Sequence, residues 1–266
     1  MLENINLKKK LSREEFKQVL PGLQTRLYDL EKACWDNGVP SIVVFEGWDA
    51  SGKGTTIAAL TQRLDPRGFK LYPITGPRTY EQQRPWLWRF WLKVPNRGEM
   101  VIFDHSWYGR VLEERVERTI PEKTWRQAYR DIAEFERMLA DDGTAILKFF
   151  LHIGKKEQKR RFELIESNPL EAWRVTPDDW ARNKRYAQYL DAYEEMLELT
   201  DSEYAPWTIV EATSKWHTRR KVFETIIATL EKRLGDKAPV HEASAVDQSK
   251  DAQLRDAMES LGGEKA

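Results

Sequence analysis

The chain has 266 residues, 41% hydrophobic and 32% charged, and its 43 basic and 43 acidic side chains cancel to a formal net charge of zero. That length suits one sizeable domain with a buried core or two small ones, and the balanced charge gives no bulk attraction to nucleic acid or an anionic membrane. The single cysteine, Cys34, excludes an internal disulfide, and no stretch approaches the ~18 consecutive apolar residues of a membrane helix.

The opening "MLENINLKKKLSREEF" lacks the apolar run of a secretory signal, so the expected setting is the cytoplasm. From Ser12 to Asn37, Phe16, Val19, Leu20, Leu23, Leu27, Leu30 and Ala33 recur at helical spacing, with Pro21 expected to kink or split the helix. "SIVVFEG" is a short apolar run ending in glycine, the pattern of a buried parallel strand, and "TTIAALTQRL" is a helix starting near Lys53. Then follow a strand "FKLYPI", a helix "TYEQQRPWLWRFWLKV" and a strand "GEMVIFDHS". A helix "PEKTWRQAYRDIAEFERMLADDG" opens on proline and closes on glycine, and leads to a strand "AILKFFLHI". The charged helix "KKEQKRRFELIES" comes next, then a break "NPLEAWRVTPDDW" and a helix "ARNKRYAQYLDAYEEMLELT". "WTIVEA" is the fifth strand and "HTRRKVFETIIATLEKRL" the closing helix.

Strand and helix alternate throughout, which predicts an α/β fold: a parallel five-stranded sheet with helices on both faces. The folded domain is expected over residues 1–235, and the polar, acidic segment 236–266 as a mobile tail with a short helix near Ala252–Leu261. Charge is uneven: residues 53–118 hold 12 Lys/Arg against 7 Asp/Glu, and residues 236–266 hold 4 against 7. A basic middle suits an anionic substrate.

Between the first strand and its helix lies "EGWDASGKGT", Glu46 to Thr55, with glycine, four residues, then Gly52 and Lys53. This is the spacing of a phosphate-binding loop in its required context. Gly47, Ala50, Ser51, Gly52 and Gly54 would present backbone N–H groups to an anion at a helix N-terminus, and Lys53 would add a point charge. Two features depart from a nucleotide triphosphate loop. Gly54 stands where a metal-binding hydroxyl is usual, with Thr55 one place late, and Asp49 lies inside the loop. A carboxylate among phosphates needs a cation between them, or else orients an incoming phosphate. The alternative is an aspartate that only bonds loop amides.

The third strand ends in Asp104 after four apolar residues, which places a carboxylate where Mg²⁺ is held in such folds. Arg110 follows in "DHSWYGR", on the side of the sheet where ligands bind, with Arg115 and Arg118 about a turn apart. Arg89 stands among Trp86, Trp88 and Trp91 as a candidate anion ligand. Lys155, Lys156, Lys159, Arg160 and Arg161 crowd the helix after the fourth strand, and Trp173, Arg174 and "RNKR" (Arg182–Arg185) follow; together they suggest a cationic lid over residues 155–190.

With "FEGWDASGKGTTI", "LDPRGF", "LWRFWLKVPNRGEMVIFDHSWYGRVLEERVE" and "WTIVEATSKWHTRRKVFETI" in view, the chain resembles the polyphosphate kinase 2 family from about Leu27 to Leu234. The resemblance implies a P-loop kinase fold with a helical lid. It further implies reversible phosphoryl transfer between inorganic polyphosphate and a nucleotide, with Mg²⁺ or Mn²⁺. It carries catalytic roles onto Asp49, Lys53, Asp104 and Arg110, and metal binding onto Asp49 and Asp104. Substrate contacts fall on the loop residues with Thr55, and on Arg67, Arg89, His105 and Arg174. The family pattern "DRSWYNR" becomes "DHSWYGR" here, with His105 for arginine and Gly109 for asparagine, a form closest to the AMP-phosphorylating branch. A homodimer or homotetramer is expected, with no nucleic-acid or membrane partner. The rival readings are an ATP-dependent nucleoside monophosphate kinase and a non-catalytic polyphosphate- or nucleic-acid-binding module.

Overall fold

The computed structural model describes residues 2–240. The helix expected near Ala252–Leu261, and most of the expected tail, lie outside them. Five parallel strands form one sheet in the order β2-β3-β1-β4-β5: β1 Ser41–Gly47, β2 Phe69–Pro73, β3 Met100–Asp104, β4 Ala145–His152 and β5 Trp207–Glu211. After β1 the chain turns to one side for β2 and β3, then crosses back for β4 and β5. The C-terminal end of β1 is therefore the switch point of the sheet, where such folds open a crevice.

The central strands read as apolar runs because both of their faces are covered. Ile42, Val43, Val44 and Phe45 of β1 are wholly buried, which stabilises the fold by ~1.5–3 kcal/mol for each side chain. On one face α1 (Arg13–Asp36), α2 (Lys53–Thr61) and α10 (Lys215–Leu234) pack together; on the other lie α5 (Glu113–Val116), α6 (Glu122–Asp141) and α9 (Tyr186–Thr200). The remaining helices are α3 (Thr79–Gln82), α4 (Trp88–Trp91), α7 (Lys155–Glu166) and α8 (Pro177–Lys184). Among the described residues no helix is long and apolar enough to cross a membrane.

Three local expectations change. Helix α1 runs unbroken through Pro21, started by a capping box in which Ser12 and Glu15 each accept from the other's backbone N–H. Pro21 falls at the ninth residue of a helix that packs along α10, and packing outweighs its missing donor. The single helix expected over "TYEQQRPWLWRFWLKV" is instead two one-turn pieces, α3 and α4, because Pro85 stands between them. The helix expected from Ala181 begins earlier, at Pro177, where Thr176 and Asp179 form a second capping box, and it breaks at Arg185 before α9.

Candidate active site

The loop between β1 and α2 is held in shape from behind. Gly47 sits at φ 130°, and an added Cβ there would lie 2.3 Å from the Leu151 carbonyl oxygen of β4. Only glycine permits that approach. Gly52, at φ 101°, caps α2, and Ala50 takes a positive φ of 56°, an uncommon state for a residue with a Cβ.

Two side chains of α7 hold the loop carbonyls outward. Gln158 Nε2 donates to the Asp49 carbonyl at 3.2 Å. Arg161 Nη1 donates to the carbonyls of Ala50 and Ser51 at 2.8 and 3.1 Å, and Nη2 to those of Ala212 and Thr213 at 2.7 and 3.1 Å. Arg161 Nε completes the set by donating to Glu157 at 2.8 Å. These bonds occupy the carbonyls of Asp49, Ala50 and Ser51 from the α7 side.

Trp48 fixes the rest of the loop. Its Nε1–H donates to His152 Nδ1 at 2.9 Å, and its ring stacks on Tyr186 with centroids 3.8 Å apart. Burial pushes the His152 imidazole down to about 4, so it stays neutral and can accept. Lys53 is buried, and its ammonium donates to the carbonyls of Gly47 and Trp48 at 2.8 and 3.1 Å. Thr55 does not offer its hydroxyl to the loop interior; that group donates to the Gly52 carbonyl at 3.0 Å.

Asp104 stands at the end of β3, beside β1. Its Oδ1 is buried without a hydrogen-bond partner, a costly state for a carboxylate unless something else binds there. An added Cβ at Gly54 would lie 4.0 Å from Asp104 Oδ2, so the glycine leaves the path from carboxylate to loop open. Among the described residues no group of three acidic, His or Cys side chains forms a metal cage. Mg²⁺ commonly takes one or two carboxylates and completes its shell with water and phosphate oxygens, and the unpartnered Oδ1 of Asp104 is a donor of that kind. Asp49, the other expected metal ligand, is held by Arg182: Nε donates to Oδ2 at 2.7 Å, and Nη2 of the same arginine to Asp179 at 2.6 Å.

A cleft of about 960 Å³ opens at the ends of β1 and β3, lined among others by Asp49, Arg89, His105, Arg110, Glu113 and Arg182. Arg110 pairs with Glu114 at 2.6 Å and lies 5.5 Å over the Trp86 ring. Arg89 donates to the Thr75 carbonyl at 2.7 Å and faces Glu81 at 3.5 Å. In both arginines Nε is buried without a partner. Two other expected contacts are not brought here. Arg67 precedes β2, at the N-terminal end of the sheet, and is exposed and paired with Asp65. Arg174 is exposed and pairs with its neighbour Glu171. Arg115, bonded to Glu195 and Tyr129, ties α5 to α9 and α6. Of the five-cation run on α7, Lys159 and Arg160 pair with glutamates of their own helix, and Arg161 reaches the loop.

A family model described as polyphosphate kinase 2 (PPK2) matches residues 10–238. The chain belongs to this family. It is 40% identical over 232 residues to a polyphosphate:AMP phosphotransferase of Pseudomonas syringae pv. tomato, covering 87% of this chain and 47% of that protein. It is 38% identical over 215 residues to an AMP/ADP-polyphosphate phosphotransferase of Meiothermus ruber, covering 80% of each. A PPK2 crystal structure from Pseudomonas aeruginosa superposes with a TM-score of 0.85 at 39% identity, over 87% of this chain and 50% of that one. One from Arthrobacter aurescens superposes with a TM-score of 0.85 at 27% identity, over 95% and 93%. The chain thus spans about half the length of the polyphosphate:AMP phosphotransferase it matches.

In this PPK2 chain the histidine that replaces the family's arginine is built into an acidic group. His105 has a φ of 59°, and its Nδ1 lies 3.5 Å from Glu46 and 3.8 Å from Glu113. Burial and the Lys53 ammonium push the imidazole pKa down, but the hydrogen bond and charge of Glu46, with Glu113, outweigh them and leave it above the ordinary value. Glu113 is pushed up to about 7, chiefly by burial, with the charges of Glu46 and Asp49 adding to it against His105. Gly109 stands close under Glu113: an added Cβ would lie 3.2 Å from Oε2. Sequence reasoning missed Gln158, Glu113 and the particular roles of Arg161 and Arg182. The sequence does place Arg182 on a helix, and the capping box Thr176-x-x-Asp179 marks where that helix starts.

Proposed function

We propose that this PPK2 chain transfers a phosphoryl group between inorganic polyphosphate and a nucleotide, with AMP as acceptor and ADP as product. The observation that carries the reading is Asp104, whose Oδ1 is buried without a partner, at the end of β3 beside β1 and one residue before His105 of the arginine-lined cleft. The names of the relatives support the substrates.

The end of the polyphosphate lies in the loop, where Lys53 and the loop N–H groups take its oxygens. The AMP phosphate enters the cleft, guided by Arg89 and Arg110, whose Nε groups are short of a partner. An ionised phosphate oxygen of AMP attacks the terminal phosphorus as the bridging P–O bond to the chain breaks. The shortened polyphosphate leaves with that bond's electron pair on its own oxygen. The acceptor is already ionised near neutral pH, so no general base is needed and no covalent enzyme intermediate forms. Catalysis is then positioning and charge stabilisation. Asp104, with Asp49, would hold Mg²⁺, which when bound neutralises phosphate charge. We further place the reaction in the cytoplasm and in a homodimer or homotetramer.

The test offers AMP, ADP and GDP with long-chain polyphosphate or ATP as donor, in the presence of Mg²⁺. ADP formation from AMP and polyphosphate is expected; activity with ATP alone would favour a nucleoside monophosphate kinase. Lys53→Ala and Asp104→Asn should each lower transfer by ~10²–10³-fold or more with the native circular dichroism spectrum retained; Lys53→Ala, which leaves the Gly47 and Trp48 carbonyls without their donor, should also lower the melting temperature. Full activity in either variant refutes the assignment.

A further inference from the structure

Outside the cleft, at the start of α10, two cations have no acidic partner among the described residues. Arg219 Nη2 donates to the Thr55 carbonyl at 3.2 Å, and its Nε is buried without a partner. Its guanidinium lies 5.3 Å from the Trp216 ring, and the Lys215 ammonium lies 4.4 Å from the same ring. Among the described residues neither cation has a carboxylate within ion-pair distance. The other half-buried arginines around the loop differ in this respect: Arg161 has Glu157, and Arg182 has Asp49 and Asp179. Burial pushes the pKa of Arg219 down with no carboxylate opposing it. A partly desolvated guanidinium with a vacant donor suits an anion.

The position suggests which anion. Thr55 is the third residue of α2, whose first is Lys53, and Gly54 and Thr55 are both exposed. The surface from the loop to Arg219 therefore runs over a residue with no side chain and a short one. A polyphosphate whose reacting end lies at Lys53 has to leave the loop, and the acceptor takes the cleft side. Trp216 is no platform for a nucleotide base, since its ring is taken by the two cations and by Phe16 at 5.3 Å. Nearby, Lys9 is not free to join, because it pairs with Glu211 at 2.8 Å.

We propose that Arg219 and Lys215 form a subsite for internal phosphates of the donor chain, one that a short donor does not reach. The proposal rests on polyphosphate being the donor. It predicts a chain-length effect, which a purely structural role for the Arg219–Thr55 bond would not produce.

The test is an equilibrium titration of the full chain, without nucleotide, with long-chain polyphosphate and with tripolyphosphate. The variants are Arg219→Gln, Arg219→Lys and Lys215→Gln, with melting temperatures measured alongside. Arg219→Gln should weaken long-chain binding about tenfold and change tripolyphosphate binding little. The slope of log affinity against log salt should fall by about one for each cation removed, and Arg219→Lys should retain part of the long-chain affinity. In turnover, KM for long polyphosphate should rise while kcat and KM for AMP hold. Equal weakening of both ligands, or unchanged long-chain binding, overturns the subsite. If the wild type transfers nothing from polyphosphate but still shows Arg219-dependent long-chain binding, the donor role falls for both readings and what is left at Arg219 is a polyphosphate-binding site alone.

Discussion

Arg161 uses its whole side chain. A guanidinium has five N–H donors, and here they meet five acceptors: Glu157 and the carbonyls of Ala50, Ser51, Ala212 and Thr213. That set joins α7, the phosphate loop and the turn after β5, and it stabilises Ala50 at a φ of 56°. Lysine would keep the charge but offers three donors from a point, so at least two of the five acceptors would lose their partner. Arg161→Lys should therefore cost ~1–3 kcal/mol of stability, read from the denaturant midpoint. Because the loop amides would lose their alignment, it should also lower phosphoryl transfer by roughly 10²-fold. An active, fully stable Arg161→Lys variant would show that the charge alone suffices.

At the scale of elements, α8 reaches the loop beside α7. Arg182 grips the Asp49 carboxylate, and the next residue, Asn183, donates to Gln158 Oε1 at 2.8 Å, which in turn holds the Asp49 carbonyl. Asp49 is thus held at its side chain by Arg182 of α8 and at its carbonyl by Gln158 of α7, which Asn183 steadies. Arg182→Gln should free α8, raising amide hydrogen exchange over residues 177–184 by about tenfold in the substrate-free protein; unchanged exchange would mean that packing, such as Phe162 on Trp180 at 5.2 Å, holds the helix instead. These contacts also mark where the sequence stopped being legible. The sheet, the loop and Asp104 were readable because each is a local pattern: an apolar run, a glycine spacing, a strand-end carboxylate. The run "KKEQKRR" was readable as basic, but not which cation faces the loop, since that depends on how α7 is rotated against β4. Arg67 looked like a site residue through the motif "LDPRGF", yet its place before β2 puts it at the far end of the sheet from Gly47 and Asp104. The split of the expected 79–94 helix follows from Pro85, which disfavours the helical state of the residue before it.

Across the whole molecule, one buried ion pair ties the sheet to the segment that carries the site. Lys148, in the middle of β4, donates to Glu136 of α6 at 2.8 Å, to the Tyr108 hydroxyl at 2.9 Å and to the Thr200 carbonyl at 2.7 Å. Glu136 also accepts from Trp107 Nε1 at 3.0 Å and from Tyr108 at 2.7 Å. Trp107 and Tyr108 lie between His105 and Arg110, so the network anchors the cleft wall to the core. Both ions are out of water: burial pushes the Lys148 pKa down and the Glu136 pKa up, and their mutual attraction opposes both shifts. The pair's worth is therefore small beside the cost of breaking it. Lys148→Met should destabilise the protein by ~3–5 kcal/mol, because it leaves Glu136 buried without its cation. Adding Glu136→Gln should recover part of that loss, since the amide is neutral and its oxygen can still accept from Trp107 and Tyr108. Denaturant unfolding of the two single variants and the double variant measures this coupling. Simple additivity would mean that water or a shifted side chain already compensates Glu136 when Lys148 is absent, and that the wall carrying Arg110 does not depend on the pair.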